Sequence, residues 1–161
     1  MITRCGHAGD FEAVLPMMRK HRQQQQQHDP VLYQLHPDAE QRFRRWVGQK
    51  AEDPRSTLLV AEEDGRIIGF LTASVEKDPP MYQHAEFALV REWWVEPEFS
   101  SLGAAKALID RAAAEFAAIG IGQIRFRTCA PDEDARALLS SCGFRSGACE
   151  MVMELQPRRE G

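Results

Sequence analysis

Apolar residues along this chain change period twice, and the changes divide it into helical and extended stretches. Ile2 to Arg4 suits a short first strand. Asp10 then stands where a helix N-cap would, with Phe11, Val14, Leu15 and Met18 following at helical spacing. Pro16 falls inside that helix and predicts a late start or a kink. The glutamine run Gln23–Gln27 either extends the helix on its wet side, glutamine being a fair helix former, or forms a loop. Pro37 suits the first turn of a second helix, and Ala39, Phe43, Trp46 and Val47 make one apolar stripe along it.

The middle of the chain switches to period two. Thr57–Ala61 and Ile67–Leu71 flank Asp64-Gly65, which predicts a hairpin. Lys77-Asp78-Pro79-Pro80 breaks the pattern as a loop. A longer strand is expected from Glu86 to Val95, with Phe87, Leu89, Trp93 and Val95 on one face, stopping at Glu96-Pro97. The strongest helix comes next, its buried face marked by Leu102, Ala105, Leu108, Ile109, Ala112, Ala113 and Phe116. Lys106 with Asp110 and Arg111 with Glu115 are ion pairs for its wet face, and Gly120 and Gly122 end it. Ile124, Phe126 and Thr128 alternate as a strand. Asp132 opens a short helix carrying Ala135, Leu138 and Leu139, closed by Gly143, and Cys149 to Leu155 reads as a last strand. The alternation implies a mixed α/β fold in one domain spanning residues 1–161, without internal repeat or linker.

Composition narrows the function classes. A chain of 161 residues is long enough for one substantial core. Its net charge of -4 argues against a nucleic-acid partner, which leaves a basic footprint. Arg42, Arg44 and Arg45 lie beside Glu40 and read as an ordinary mixed surface. No apolar run approaches the roughly 20 residues that span a bilayer, and the first residues lack the apolar stretch of a secretory signal. No membrane partner is therefore expected, and a cytoplasmic location is. Cys5, Cys129, Cys142 and Cys149 lack metal-ligand spacing; they read as buried reduced thiols, a catalytic role for Cys142 being the alternative, and no metal is expected.

The chemistry concentrates in residues 93–108, where a strand enters a turn of small residues and a helix begins. The first N–H groups of a helix have no internal partner, and the positive end of its dipole lies behind them. A phosphate fits there if no bulky side chain blocks it, and Gly103, Ala104 and Ala105 leave that space while Ser100 and Ser101 add hydroxyls. The same residues also suit a plain packing turn. Neither the nucleotide P-loop ending nor the dinucleotide glycine fingerprint is present.

The run Val95-Glu96-Pro97-Glu98-Phe99-Ser100-Ser101-Leu102-Gly103-Ala104-Ala105 resembles the pyrophosphate-binding motif of the GNAT superfamily, Arg/Gln-x-x-Gly-x-Gly/Ala after a strand. Asp132 to Phe144 is similar to its second signature, Asn-x-x-Ala-x-x-Leu-Tyr-x-x-x-Gly-Phe, and the element order from Ile2 to Leu155 agrees as well. The resemblance implies the GNAT fold, a mixed and mostly antiparallel sheet flanked by helices. It also implies acetyl-CoA as cosubstrate, transfer of its acetyl group to a small-molecule or peptide amine, and a homodimer. By position, the backbone of Ser101, Leu102, Gly103, Ala104 and Ala105 would hold the pyrophosphate, with Ser100 at the motif's first place. The main chain of Trp93, Trp94 and Val95 would pair with the pantetheine arm, an N–H near Trp94 or Val95 would steady the oxyanion, and Asp132 and Ala135 would lie on the pantetheine side.

Three positions depart from the family pattern. Ser100 replaces Arg or Gln, Asp132 replaces Asn, and Leu139 stands where many members place the tyrosine that protonates the departing thiolate. A thiol pKa of roughly 8.5 lets that group leave without a strong acid, and Ser140, Ser141 or water are substitutes. The attacking amine still needs a base. Glu92 on the strand beside the expected thioester is the first candidate, with Glu86 and His84 as alternatives. Tyr33, Gln34, His36, Met81 and Tyr82 are candidates for acceptor contact. A protein N-terminal or lysine acetyltransferase, and a CoA-binding module without turnover, remain open as other classes.

Overall fold

The computed structural model, which describes residues 1–157, turns the two periods into one sheet with helices on both faces. The strands are β1 (Ile2–Cys5), β2 (Ser56–Glu63), β3 (Arg66–Lys77), β4 (Glu86–Val95) and β5 (Ile124–Phe126), lying side by side in that order. Neighbours from β1 to β4 run antiparallel, and β5 runs parallel to β4. The α-helices are α1 (Phe11–His28), α2 (Ala39–Glu52), α3 (Ala104–Ala118) and α4 (Glu133–Ser141). A mixed, mostly antiparallel sheet flanked by helices is thus what the chain forms. Asp64 and Gly65 both take positive φ, 49° and 76°, the conformation of a tight hairpin turn between β2 and β3.

Two apolar clusters hold the layers. Val14, Met17 and Met18 of α1 and Phe43 and Val47 of α2 pack on Leu58, Val60 and Phe70. On the other face Leu108, Ile109, Ala112 and Phe116 of α3, with Leu139 of α4, pack on Leu59, Leu71, Ala88 and Val90. Helix α1 runs through Pro16 and includes the whole glutamine run. Pro16 and Glu12 are both exposed, so the carbonyl that loses its N–H partner faces water.

Several sequence expectations need correction. Leu102 belongs to a 3-10 helix (Pro97–Leu102) and is exposed, as is Ala113, so the buried face of α3 is narrower than the periodicity suggested. Cys149 to Leu155 forms no strand. Beyond Phe144, whose ring packs edge-on against Phe126, the chain leaves Met151, Met153 and Leu155 exposed, while three-residue β5 offers little ladder for a further strand. Cys5 and Cys149 are exposed thiols; Cys129 is buried and Cys142 half-buried, and all four are free.

The alternation expected along β4 also fails at one place. Thr72 pairs with Glu92 but Ala73 with Val90, so Arg91 is an extra residue in a β-bulge. The bulge shifts the phase by one. Ala88 and Val90 face α3 before it, and Trp93 and Val95 face α3 after it. Phe87 and Leu89 therefore do not share a face with Trp93 and Val95, and Glu92 and Trp94 turn towards α1.

Asp10 sits at the N-cap position of α1 without a capping bond from its side chain. Its buried carboxylate instead accepts from both terminal nitrogens of Arg4 (2.8 and 3.0 Å) and from the His7 N–H (2.9 Å), tying β1 to the helix. Hydrogen bonding from Arg4 holds the Asp10 pKa below the usual carboxylate value, against the opposing effect of burial. Such a depressed group stabilises the fold above its unfolded pKa, and that contribution disappears as pH falls through the folded value. Asp10→Ala is expected to cost about 1.5–3 kcal/mol at pH 7 in thermal unfolding. The gap from the native chain should close below about pH 4. A gap independent of pH would show that packing, not charge, holds this corner.

Candidate active site

Strand β4 separates two spaces, and the bulge at Arg91 decides which side chains reach each. On the α3 side the sheet opens. Strand β5 pairs with β4 only along Ala88–Val90, and one further bond, Arg127 N–H to the Val90 carbonyl (3.2 Å), ends the contact. The Glu96 N–H donates to the Ile68 carbonyl (2.8 Å), so the alternation of backbone direction turns the main chain of Trp94 towards β3 as well. The N–H and C=O of Trp93 and Val95 then face the opposite edge, where β5 no longer runs. Of the three residues expected to present main-chain groups there, Trp93 and Val95 are so directed and Trp94 is not. The Trp94 indole N–H instead donates to Glu96 (3.3 Å), whose buried carboxylate also takes both bonds from Lys20 (2.8 Å each).

Beyond Val95 the 3-10 helix ends at Gly103, whose φ of 70° lies in the left-handed region, and α3 begins at once. The Gly103 carbonyl takes the first helical bond, from Ala107 (3.0 Å), which leaves the preceding N–H groups of α3 without a helical partner. A Cβ on Gly103 would meet nothing within 4 Å, so the approach to this turn is open. Ser100, Ser101 and Leu102 are exposed beside it; Ala104 is buried under the turn and Ala105 half-buried. Gly69 does the opposite job on β3. A Cβ there would come within 2.9 Å of the Trp94 carbonyl, and its absence lets the two strands close beside the opening.

Asp132 caps α4 by accepting from the Ala135 N–H (3.0 Å), with His28 of α1 at 3.7 Å. Ala135 is buried. Leu139 lies within the α3 cluster, Cys142 packs against that cluster, and Ser141 donates its hydroxyl to the Leu138 carbonyl.

On the other side of β4 lies a groove of about 610 Å³ between α1, α2, the connection that joins them, and the sheet. Glu92 lines it, with only 19% of its side chain exposed. Its Oε2 is buried without a hydrogen-bond partner, and so is the Nε2 of His21, 3.6 Å away. Burial raises the Glu92 pKa above the ordinary carboxylate value, although the positive charges of Arg22 and Arg91 pull the other way. Burial pushes His21 down to about 4, with Arg22 adding to the effect, so the imidazole is neutral at physiological pH. A carboxylate that resists ionisation beside a neutral imidazole can take and pass on a proton.

Sequence reasoning named Glu92 as a candidate and did not name His21, which the structure places beside it. The signal was there: with Val14, Met17 and Met18, residue 21 completes a helical stripe, which puts a histidine at a core position. Tyr33 and Gln34 line the same groove as Glu92. Met81 and Tyr82 are exposed elsewhere, Glu86 is paired with Arg55 and Lys77, and His84 borders a separate cleft with Gln123 and Tyr82.

The model of the acetyltransferase (GNAT) family matches residues 16–144. No curated protein matches the sequence. Among solved structures, the apo aminoglycoside 6'-N-acetyltransferase AAC(6')-IG from Acinetobacter haemolyticus is similar at a TM-score of 0.77 and 16% identity, over 98% of this chain and 99% of that one. A GCN5-related N-acetyltransferase from Ralstonia eutropha JMP134 is similar at 0.74 and 22% identity, over 96% and 97%. The aminoglycoside N-acetyltransferase AAC(6')-Iy, solved in complex with CoA, is similar at 0.67 and 20% identity, over 98% and 99%. At these identities the likeness concerns the fold.

Proposed function

The chain belongs to the acetyltransferase (GNAT) family, and on that footing we propose that it is an N-acetyltransferase, moving an acetyl group from acetyl-CoA to the primary amine of a small molecule or peptide. The observation that carries the reading is the position of Glu92. A buried, unpartnered carboxylate borders a groove on one side of β4 while the main chain of the next residues faces the open seam on the other.

The residues present fit the cosubstrate. The seam beside Trp93 and Val95 offers unpaired strand edge to an amide-bearing arm, and the open turn at Gly103 offers helix N–H groups to a pyrophosphate without a side chain in the way. Ser100 and Ser101 border that turn, and Asp132 and Ala135, at the start of α4, are assigned to the pantetheine side. Bound there, the cosubstrate supplies an activated thioester. An alkylammonium has a pKa of about 10.4 and must lose its proton before it attacks. Glu92 takes that proton, directly or through one water, and neutral His21 keeps the carboxylate from being the sole polar group in its recess. The N–H of Trp93 or Val95, facing the open seam, would steady the carbonyl oxygen that gains charge as the amine attacks. Leu139 supplies no proton, and a thiol with a pKa of roughly 8.5 departs as thiolate without one.

Thermal unfolding with acetyl-CoA, CoA and adenosine nucleotides tests the cofactor. Ligand at a hundred times its Kd adds about 2.7 kcal/mol to stability, and the shift is expected for acetyl-CoA and CoA alone. No shift at millimolar concentration would sink the proposal. The commitment of Asp132 to its cap and of Leu139 to the core favours one second reading, a CoA-binding module without turnover. A shift without acetyl transfer to any amine would favour that module.

A further inference from the structure

The groove that holds Glu92 carries more positive charge than a chain with net charge -4 leads one to expect. Its two carboxylates are Glu76 and Glu92, and its five cations come from α1, α2, β4 and the segment after β5. Two of those cations are matched: Arg91 pairs with Glu76 (3.6 Å) and Arg127 with Glu150 (3.3 Å). The other three are Arg22, Arg42 and Lys50. Arg22 lies over the Phe43 ring at 4.9 Å, and Arg42 contacts the His36 imidazole at 3.0 Å. Among the described residues, none of the three forms an ion pair, although carboxylates are plentiful on the outer faces of the same helices. Arg44 on the outside of α2, for instance, pairs with Glu12, and Arg19 with Glu40.

We propose that the acceptor is an amine that also carries an anionic group, a carboxylate or a phosphate, held by Arg22, Arg42 and Lys50 while its amino group meets Glu92. The proposal rests on the transferase reading above and names the substrate class of that same groove. Glu92 faces the amine alone, because its neighbour His21 is neutral. A polycation would bring several ammonium groups against three unmatched cations and one carboxylate, and would leave those cations without counter-charge. An anionic amine reverses both mismatches. The guanidinium groups of Arg22 and Arg42 suit the planar two-point bonding of carboxylate or phosphate oxygens. The wall between these charges is apolar, with Leu32 and Leu35 from the connection and Phe43 and Trp46 from α2, so the body joining amine to anion is expected to be apolar or aromatic.

The test is acetyl transfer from acetyl-CoA to a fixed panel: phenylalanine, phenylalanine methyl ester, O-phosphoethanolamine, spermidine and kanamycin. The anionic amines are expected to lead, with phenylalanine exceeding its ester by about tenfold to hundredfold in kcat/KM, the worth of one or two charge-assisted bonds. The comparison of phenylalanine with O-phosphoethanolamine tells carboxylate from phosphate. Arg22→Gln and Arg42→Gln should narrow the acid-to-ester ratio, largely through KM, and Arg22→Lys should restore part of it. Salt should narrow it too. Faster turnover of spermidine, kanamycin or the ester than of either anionic amine would overturn the inference and leave the transferase reading standing. Absence of transfer to every amine would overturn both.

Discussion

Glu92→Gln is expected to lower kcat/KM by about a hundredfold to a thousandfold, within the range for loss of a general base, and to raise stability at neutral pH. The two effects have one cause. Glu92 is nearly enclosed, its Oε2 has no partner, and burial has raised its pKa, so ionising it in the folded protein is costly. A group whose folded pKa lies above its unfolded value gives its full stabilising contribution below the unfolded pKa. That contribution is lost as pH rises through the folded value. The native chain should therefore lose stability over that interval while the glutamine variant does not. Activity runs the other way: the native acid limb should mark ionisation of a carboxylate with a raised pKa, and in the variant that limb should vanish. His21, neutral at every pH above about 4, does not account for such a limb. An unchanged pH–rate profile in Glu92→Gln would remove the residue from the mechanism.

Gly103→Val should abolish the stabilisation by acetyl-CoA, whereas Gly103→Asn should keep most of it. At φ 70° a residue with a Cβ is strained by about 1–2 kcal/mol, and a β-branched one suits that region least. Asparagine visits it readily. No atom lies within 4 Å of the added Cβ, so a folded valine variant moves by backbone relaxation and not to relieve a clash. Relaxation at this residue redirects the N–H groups at the start of α3, the ones assigned to the pyrophosphate. Thermal unfolding of both variants with and without ligand separates strain from binding. A valine variant that still gains about 2.7 kcal/mol from saturating acetyl-CoA would mean that this turn does not hold the pyrophosphate.

The elements were legible because each is locally consistent. The limits of β4, the positive-φ turn at Asp64-Gly65 and the cap at Asp132 all follow from residue type and spacing. What was illegible depends on partners far along the chain. Nothing near Arg91 announces a bulge; it follows from how Thr72 and Ala73 pair across the sheet. Asp10 looks like a cap until Arg4 claims both its oxygens. The tail after Phe144 has a strand's alternation but meets a neighbour only three residues long. In the site, Glu92 and the small turn residues were readable as types. The groove's charge was not, because Arg42 looks like one of three surface arginines until α2 places it among the residues lining the groove, while Arg44 pairs with Glu12 outside it.

Arg91 makes β4 unusually tolerant of losing a residue. The bulge puts Arg91 and Glu92 side by side on the groove face, so no substitution at position 91 changes which way its neighbours point. Removing the codon would restore plain alternation and leave the directions as they are, with Val90 under α3, Glu92 in the groove and Trp93 under α3 again. In a library of single-codon deletions, position 91 is expected to be the most forgiving of the strand, because its loss costs a side chain and a local twist and not the phase.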